Sequence, residues 1–428
     1  MDSTSRRDVL VASGALAGAV LAGCLDGASA SGSGFDGDEE RLETLVEANT
    51  EFAFALHREL VSGSEGANVL TSPHGVSVAM AMLYAGARGE TEAAMADAMR
   101  YGLPQDELHP AIEELSATLD RRADDAGDLG LLDRLRGREA AFELSVANAL
   151  WGNGDYTYRE SYLDTLEEHY GAGLRGVDFA DPATRAEIND WVAGETNDRI
   201  EELLPEGSIG PDTHLVVTNA IHLLADWAKQ FDPEDTAEGE FTALDGSTTR
   251  VPMMRQTAEF PVAAENGVSL VELPYVGEEL SMVVIVPDGE RVAFESFEAR
   301  LDAGRLGGLL WGLETSEAEV VLPRFEFAFD AHLNDALSAL GMADAFDPDR
   351  ANFEGMTDVE VAIADVFHES YIAVDEAGTE AAAATAGSMD ESAPPRVVAD
   401  RPFLFLIRDR SMGAILFLGR VGDMGEIA

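Results

Sequence analysis

The sequence predicts an α+β fold in one domain, and three observations lead there. Its 428 residues are 46% hydrophobic, ample for a large core. Apolar residues at helical spacing dominate the chain to about Leu204, whereas short runs rich in Val, Ile and Phe fill the second half. No internal repeat or interior linker separates the two, so early helices and late strands belong to one domain.

The chain opens with Ser5-Arg6-Arg7-Asp8-Val9-Leu10 and a run of apolar and small residues, Val9 to Ala22, ending Leu21-Ala22-Gly23-Cys24. Those fourteen residues are too few to span a bilayer as a helix, which needs about 20. A positive start, a short apolar core and small residues make an export signal. The paired arginines resemble a twin-arginine signal, and Leu-Ala-Gly-Cys resembles a lipobox, whose cysteine is lipidated after cleavage. The alternative is a cysteine that happens to sit in an ordinary signal peptide. Cys24 is the only cysteine, which excludes an intrachain disulfide and every multi-cysteine metal or redox motif. Residues 1–24 are therefore expected to be a signal. Residues 25–39, mostly Gly, Ser, Ala and acid, are expected to be a flexible tether, and residues 40–428 the domain.

Within the domain, Leu42, Leu45, Val46, Asn49, Phe52, Ala53, Leu56 and Leu60 repeat at helical spacing, leaving acids and His57 outward. Ser72-Pro73 is a helix-start signal. The helix behind it carries Val76, Val78, Met80, Met82 and Leu83, too many apolar positions for one exposed face, so it is expected to be buried. The helical patterning breaks near Ala126–Gly130 and Gly152–Asp155. Strands are expected at Leu270–Tyr275, Leu280–Val286, Val320–Phe325, Phe403–Ile407 and Ile415–Val421.

Charge separates function classes. There are 81 acidic and 28 basic residues, a net charge of −53, and Lys229 is the only lysine. Disorder does not fit a normal apolar content in periodic runs. A cationic partner would call for a local acidic block, whereas these acids are spread along the chain. Self-repulsion on this scale destabilises a compact state in dilute buffer, but at molar salt the screening length falls to about 3 Å. Adaptation to high salt is the expectation. Nucleic-acid binding is disfavoured, because no basic patch exists to neutralise phosphates.

Ala377 to Pro395 stands apart, with no large apolar residue except Met389. Taken by composition, it is an exposed linker or a solvated helix, since alanine favours helices. Taken as a strand, it places Thr379, Ala381, Ala383, Thr385 and Gly387 on one face, all small and uncharged. No proline interrupts before Pro394. Such a segment could live as an exposed loop and later join a sheet.

Val374-Asp375-Glu376-Ala377-Gly378-Thr379-Glu380-Ala381-Ala382-Ala383-Ala384-Thr385 resembles the hinge of the serpins, a family whose loop inserts into its own sheet. The resemblance extends in order and spacing from about Glu39 to Val421. It takes in Asn68-Val69-Leu70-Thr71-Ser72-Pro73, then Val146-Ala147-Asn148-Ala149-Leu150-Trp151, which resembles a central sheet strand, and Ile188-Asn189-Asp190-Trp191-Val192 and Thr196-Asn197-Asp198-Arg199-Ile200. It continues with Thr218-Asn219-Ala220-Ile221, Trp227 and Phe231, Val251-Pro252-Met253-Met254, Glu272-Leu273-Pro274-Tyr275 and Arg401-Pro402-Phe403-Leu404-Phe405.

The resemblance implies about eight to nine helices and three β-sheets, with an exposed reactive-centre loop at about 376–396. It implies a suicide-substrate inhibitor of serine, or alternatively cysteine, endopeptidases, monomeric and without a cofactor, its partner being the covalently bound target protease. The hinge would be Glu376, Gly378, Thr379, Glu380, Ala381, Ala382, Ala383, Ala384 and Thr385. Ser72, Asn219 and His368 match the buried polar residues that control sheet opening (the shutter), and Trp227 stands at the mouth where the sheet parts (the breach). The family's second shutter serine is replaced by Gly75, which would loosen that control or leave it to water. Counting back from Pro394-Pro395 puts the scissile bond at Glu391–Ser392, whereas counting from the hinge puts it at Ser392–Ala393.

No enzyme is expected, since GxSxG, HExxH and CxxC are all missing from the sequence and a lone lysine removes most Ser–Lys dyads. No metal site is expected either. With Cys24 lipidated, the protein would sit extracellularly at the cell surface. Two other classes remain open on sequence: a non-inhibitory surface binding protein of the same fold, and a surface-anchored solute-binding lipoprotein or hydrolase.

Overall fold

The computed structural model describes residues 35–64, 67–127, 142–171, 173–289, 292–376, 394–425 and 427. The chain divides into two units, Met1–Glu39 and Glu40–Ala428. Cys24 and the signal segment lie outside the described residues. The first helix, α1 (Phe35–Gly63), begins inside the stretch read as tether, so residues 35–39 are helical. Asp38, Glu39 and Glu40 stand near its start, where negative charge suits the N-terminal end of a helix.

Along α1 the apolar stripe is buried as spaced, from Leu45 and Val46 through Phe52, Ala53, Leu56 and Leu60. His57 departs from expectation. It is buried, not outward, and its Nε2 lies 2.9 Å from Oε1 of Glu298. Arg420 reaches the other carboxylate oxygen at 3.0 Å. Burial pushes the Glu298 carboxyl up, but His57 and Arg420 outweigh it and hold it below the usual carboxylate range. A histidine spaced among acids reads as surface until a partner from 241 residues away is in view.

Next come β1 (Val69–Thr71) and α2 (Pro73–Tyr84), whose N-cap is Ser72 with Pro73 in the first turn. Ten of the twelve residues of α2 are buried, as the excess of apolar positions predicts. Two further helices, α3 (Gly89–Met99) and α4 (Gln105–Gly127), lead to β2 (Phe142–Asn153). After it come α5 (Glu160–Tyr170), β3 (Arg175–Val177), α6 (Thr184–Glu195) and β4 (Leu215–Ala225). Further α-helices among the described residues are α7 (Phe294–Glu298), α8 (Ala303–Trp311) and α9 (Asn334–Leu337). Among the described residues no helix is long and apolar enough to cross a membrane.

The later strands are β5 (Ala237–Thr242), β6 (Thr248–Glu265), β7 (Val268–Pro274), β8 (Leu280–Pro287), β9 (Glu314–Pro323) and β10 (Phe325–His332). The chain closes with β11 (Ile363–Val374), β12 (Arg396–Val398), β13 (Phe403–Asp409) and β14 (Ile415–Val421). The run expected at Val320–Phe325 is two strand ends, β9 and β10, broken at Arg324.

Where three sheets are expected, hydrogen bonding joins the described strands into two. One has five strands in the order β10-β11-β4-β2-β3. The other has nine, because the 18-residue β6 pairs with β5 and β9 along most of its length and with β7 at its end. That one continuous strand joins what would otherwise be two sheets. One core fills the space between α1, α2 and the sheets, including Phe52, Met80, Val217, Ile221, Val284 and Phe405. A smaller cluster lies on the opposite face of the five-stranded sheet, beneath α6.

Candidate functional site

The five-stranded sheet has a seam at its centre. β4 and β11 are direct neighbours and run parallel, registered from Ile363↔Leu215 to Ile372↔Leu223. Their outer neighbours are antiparallel, β2 against β4 and β10 against β11. Evenly slanted parallel bonds are slightly weaker per residue than antiparallel ones.

A buried polar cluster crosses the middle of the seam on the face toward α2. His368 of β11 and Asn219 of β4 are registered partners, and Nδ1 of the histidine lies 2.5 Å from Oδ1 of the asparagine. Nε2 accepts from the Ser72 N–H at 3.3 Å and from the Ser370 hydroxyl at 2.8 Å. A backbone N–H can only donate, so Nε2 must keep its lone pair and the proton sits on Nδ1, which then donates to Asn219. The ring is therefore neutral. Burial agrees, lowering its pKa from 6.5 to about 3. The Asn219 amide nitrogen donates in turn to Oδ1 of Asn148 on β2, so one chain of hydrogen bonds ties α2, β11, β4 and β2 together.

Ser72, Asn219 and His368 are thus brought together. The space beside Gly75, where the family's second serine would stand, is filled. A Cβ at Gly75 would stand 2.6 Å from Nδ2 and 3.2 Å from Oδ1 of Asn219, and 3.0 Å from Ser72 Oγ. The carboxamide occupies the space a larger residue would need, and the Gly75 N–H donates to Ser72 Oγ at 3.1 Å. A hydroxyl is supplied from elsewhere, by Ser370. Sequence reasoning passed over Ser370 and Asn148. A signal was available: Ser370 lies two residues from His368, and Asn148 is registered with Asn219, so each shares a strand face with a member of the cluster.

At one end of the seam the strands part. Pairing stops at Ile372↔Leu223, although β11 runs on to Val374 and β4 to Ala225. A small cleft opens there, lined by Leu224, Trp227, Tyr275, Ala373 and Asp375. Trp227 stacks on Tyr275 with ring centres 4.7 Å apart, and its indole N–H donates to the Asp375 carbonyl at 3.0 Å. The next residue, Glu376, is buried; it accepts from the Thr236 hydroxyl at 2.5 Å and from Nε of Arg324 at 3.0 Å, with Nη2 of Arg324 on the same oxygen. Burial pushes the Glu376 carboxyl up, but those partners outweigh it and hold it below its ordinary range. Thr236 and Arg324 were not anticipated, because they come from 140 and 52 residues away.

The described residues stop at Glu376 and resume with Pro394 and Pro395 before β12 on the edge of the nine-stranded sheet. The hinge residues Gly378, Thr379, Glu380, Ala381, Ala382, Ala383, Ala384 and Thr385 lie outside the described residues, as do both candidate scissile bonds at Glu391, Ser392 and Ala393. Among the described residues no group of three or more His, Cys, Asp or Glu could hold a metal ion.

Comparison with known proteins agrees with this geometry. An uncharacterized serpin-like protein of Thermococcus kodakarensis is 39% identical over 397 residues, 90% of this chain and 86% of that protein. The leukocyte elastase inhibitor of Homo sapiens is 35% identical over 397 residues, 89% of this chain and 99% of that protein. Among solved structures, native protease nexin-1 with heparin superposes with a TM-score of 0.77 at 27% identity, covering 89% of this chain and all of that one. Uncleaved ovalbumin gives 0.76 at 28% identity, with 89% of this chain covered. The model of the family described as serpin (serine protease inhibitor) matches residues 47–424, and with these relatives and this fold the chain belongs to the serpin family.

Proposed function

We propose that this protein is a suicide-substrate inhibitor of serine endopeptidases that traps the acyl-enzyme by inserting its cleaved loop between β4 and β11. One observation carries the reading: β4 and β11 are parallel neighbours, and the end of β11, from which the chain passes into the hinge-like segment, stands beside an open cleft. A strand that turns back after Glu376 runs antiparallel to both. It would replace one parallel ladder with two antiparallel ones, each added hydrogen bond contributing about 0.5–1.5 kcal/mol net. The small, uncharged alternate positions from Thr379 to Gly387 suit such a strand. The starting fold is then kinetically rather than thermodynamically protected. Cleavage is placed at Glu391–Ser392, with Ser392–Ala393 as the alternative, and cysteine endopeptidases are a secondary target class.

The test is incubation of the intact protein with a panel of serine endopeptidases in molar salt. A denaturant-resistant complex is expected, and the peptide it releases should begin at Ser392 or Ala393. Loop cleavage by an unrelated protease should also raise the melting temperature markedly. Cleavage with neither complex nor stabilisation would overturn the reading in favour of a non-inhibitory surface binding protein of the same fold. Turnover of any substrate would favour the hydrolase class instead.

We further propose export through the twin-arginine-type signal and extracellular anchoring by lipid on Cys24. Cys24→Ala should release the protein to the medium or leave it unprocessed, and unchanged membrane retention would remove the anchor from the account.

A further inference from the structure

The outer face of the seam, opposite His368, carries a second arrangement of polar and aromatic groups. α6 and the chain after it lie over this face, where Ile188, Val192 and Ile200 pack in one cluster with Ala147 of β2, Ala220 of β4 and Phe367 of β11. On the β2 side the attachment is tight. Trp191 stands edge-on to Trp151 at 5.5 Å, and the Arg175 guanidinium lies 4.6 Å from the Trp191 ring centre and 5.6 Å from that of Trp151.

α6 is followed by Thr196-Asn197-Asp198-Arg199. Asn197 and Asp198 both take the left-handed conformation, with φ of 51° and 57°, a region that Asn and Asp visit more readily than other non-glycine residues. The turn is fixed from within: the Asp198 N–H donates to the Ala193 carbonyl at 2.8 Å, and the Thr196 hydroxyl donates to that of Val192 at 2.8 Å. Its side chains go to different strands. The Asn197 amide donates to Ser145 Oγ on β2 at 3.4 Å. The Arg199 guanidinium lies over Tyr371 on β11, 5.8 Å from the ring centre. Tyr371 is held on two other sides, by its hydroxyl to Glu326 of β10 and by its ring against His222 of β4 at 5.5 Å.

β2 and β11 flank β4 on opposite sides, so this short turn straps across the seam. A strand added between β4 and β11 moves them apart by about 4.8 Å. α6 is fastened to β2 and β4, so the tie that this turn sends across the opening line is the one from Arg199 to Tyr371, beside the ring contact of Tyr371 with His222. We infer that Arg199 and Tyr371 form a latch over the β4–β11 seam that opposes its opening and so sets how readily a strand is admitted. The last consequence rests on the insertion reading above; the latch itself is a property of the intact molecule.

Hydrogen exchange on the intact full chain in molar salt tests it. In Arg199→Ala, amides of Val217–Leu223 and Val366–Ile372 should exchange about fivefold faster than wild type, with a smaller gain in Tyr371→Phe. Arg199→Lys, which keeps a cation over the ring, should restore most of the protection. Strands β13 and β14 should be unchanged in all three. Equal exchange at the seam in Arg199→Ala and wild type would overturn the latch. Uniform acceleration in every strand would overturn it too, by showing general destabilisation instead. Arg199 is exposed, so its replacement leaves the core intact. A second arm adds a synthetic peptide with the sequence Gly378 to Met389 and follows formation of a heat-resistant species, expected about fivefold faster in Arg199→Ala. Wild type that takes up no peptide would count against insertion while exchange still decides the latch. Uptake and seam exchange both unaltered by Arg199→Ala would remove the latch and leave insertion standing.

Discussion

His368 donates from Nδ1 to Oδ1 of Asn219 across the β4–β11 seam, 2.5 Å away, and the bond exists only while the two strands are neighbours. It is buried, and the ring that makes it is neutral because Nε2 accepts from Ser72 and Ser370. Opening the sheet breaks it, whereas protonating the histidine turns Nε2 into a donor and breaks the bonds that it accepts from Ser72 and Ser370.

Acid should therefore destabilise the native state well above the carboxylate range. Burial lowers His368 from 6.5 to about 3 and, with a contribution from His169, lowers His109 to about 4. The unfolded chain binds these protons near pH 6.5 while the native state refuses them. Stability is then whole above about pH 6.5 and falls as pH drops below it, by about 1.4 kcal/mol per pH unit for each such histidine. Denaturant unfolding in molar salt from pH 7.5 to 5 checks this. His368→Phe should flatten the slope by about one proton. It should also lower stability at pH 7.5 by about 1–3 kcal/mol for each stranded partner. A slope unchanged by that substitution would contradict a neutral, buried ring.

Gly75→Ser, which restores the hydroxyl resembling the family pattern, is expected to destabilise this chain. The new Cβ meets Asn219 at 2.6 Å, and that side chain is already committed to His368 and Asn148. Overpacking of this kind costs about 1–3 kcal/mol, read as a lower denaturation midpoint. A more stable variant would mean that the carboxamide has somewhere else to go.

At the mouth, Trp227→Phe keeps the stack on Tyr275 and removes only the N–H bond to the Asp375 carbonyl. Glu376→Gln removes the charge facing Arg324, whose side chain is 49% exposed, so about 1 kcal/mol is the ceiling. Both should speed hydrogen exchange at Ile372–Asp375 severalfold, with little change in overall stability. Equal protection in all three proteins would show that these contacts do not hold the end of β11.

Thr379→Arg tests insertion itself. In the proposed strand Thr379 is the first inward side chain, and an unpartnered charge there costs several kcal/mol. The loop should still be cut, but trapping should give way to release, turning the inhibitor into a substrate. Glu380→Arg, one residue on and outward, should be much milder. Stoichiometric trapping by Thr379→Arg would rule insertion out.

Salt should matter more than for a chain of ordinary charge. With a net charge of −53, lowering salt from molar to about 0.1 M extends screening from about 3 to about 10 Å. The melting temperature should fall across that range, and a flat profile would remove the salt-adaptation account.

Much of this protein was legible in residue patterns alone. Helical spacing located α1 and α2, and short β-branched and aromatic runs located β7, β8, β13 and β14, because each has an apolar set that local geometry turns to one side. Other elements escaped. Periodicity alone hid β2, which only the family resemblance marked as a strand, since Ala147, Ala149 and Trp151 are buried on one face while Asn148 and Leu150 are turned to the other, which erases polar alternation. β11 was hidden by His368, Glu369 and Ser370 at its centre. The sequence by itself determined the α+β class, the hinge-like segment and three members of the seam cluster, Ser72, Asn219 and His368. Only the tertiary structure decided that Ser370 supplies the hydroxyl lacking at Gly75, that His57 faces Glu298, that Arg324 and Thr236 hold Glu376, and that Arg199 crosses to Tyr371. These pairs join residues far apart in the chain, and such a bond gains its strength from burial and direction, neither of which exists until the strands are side by side.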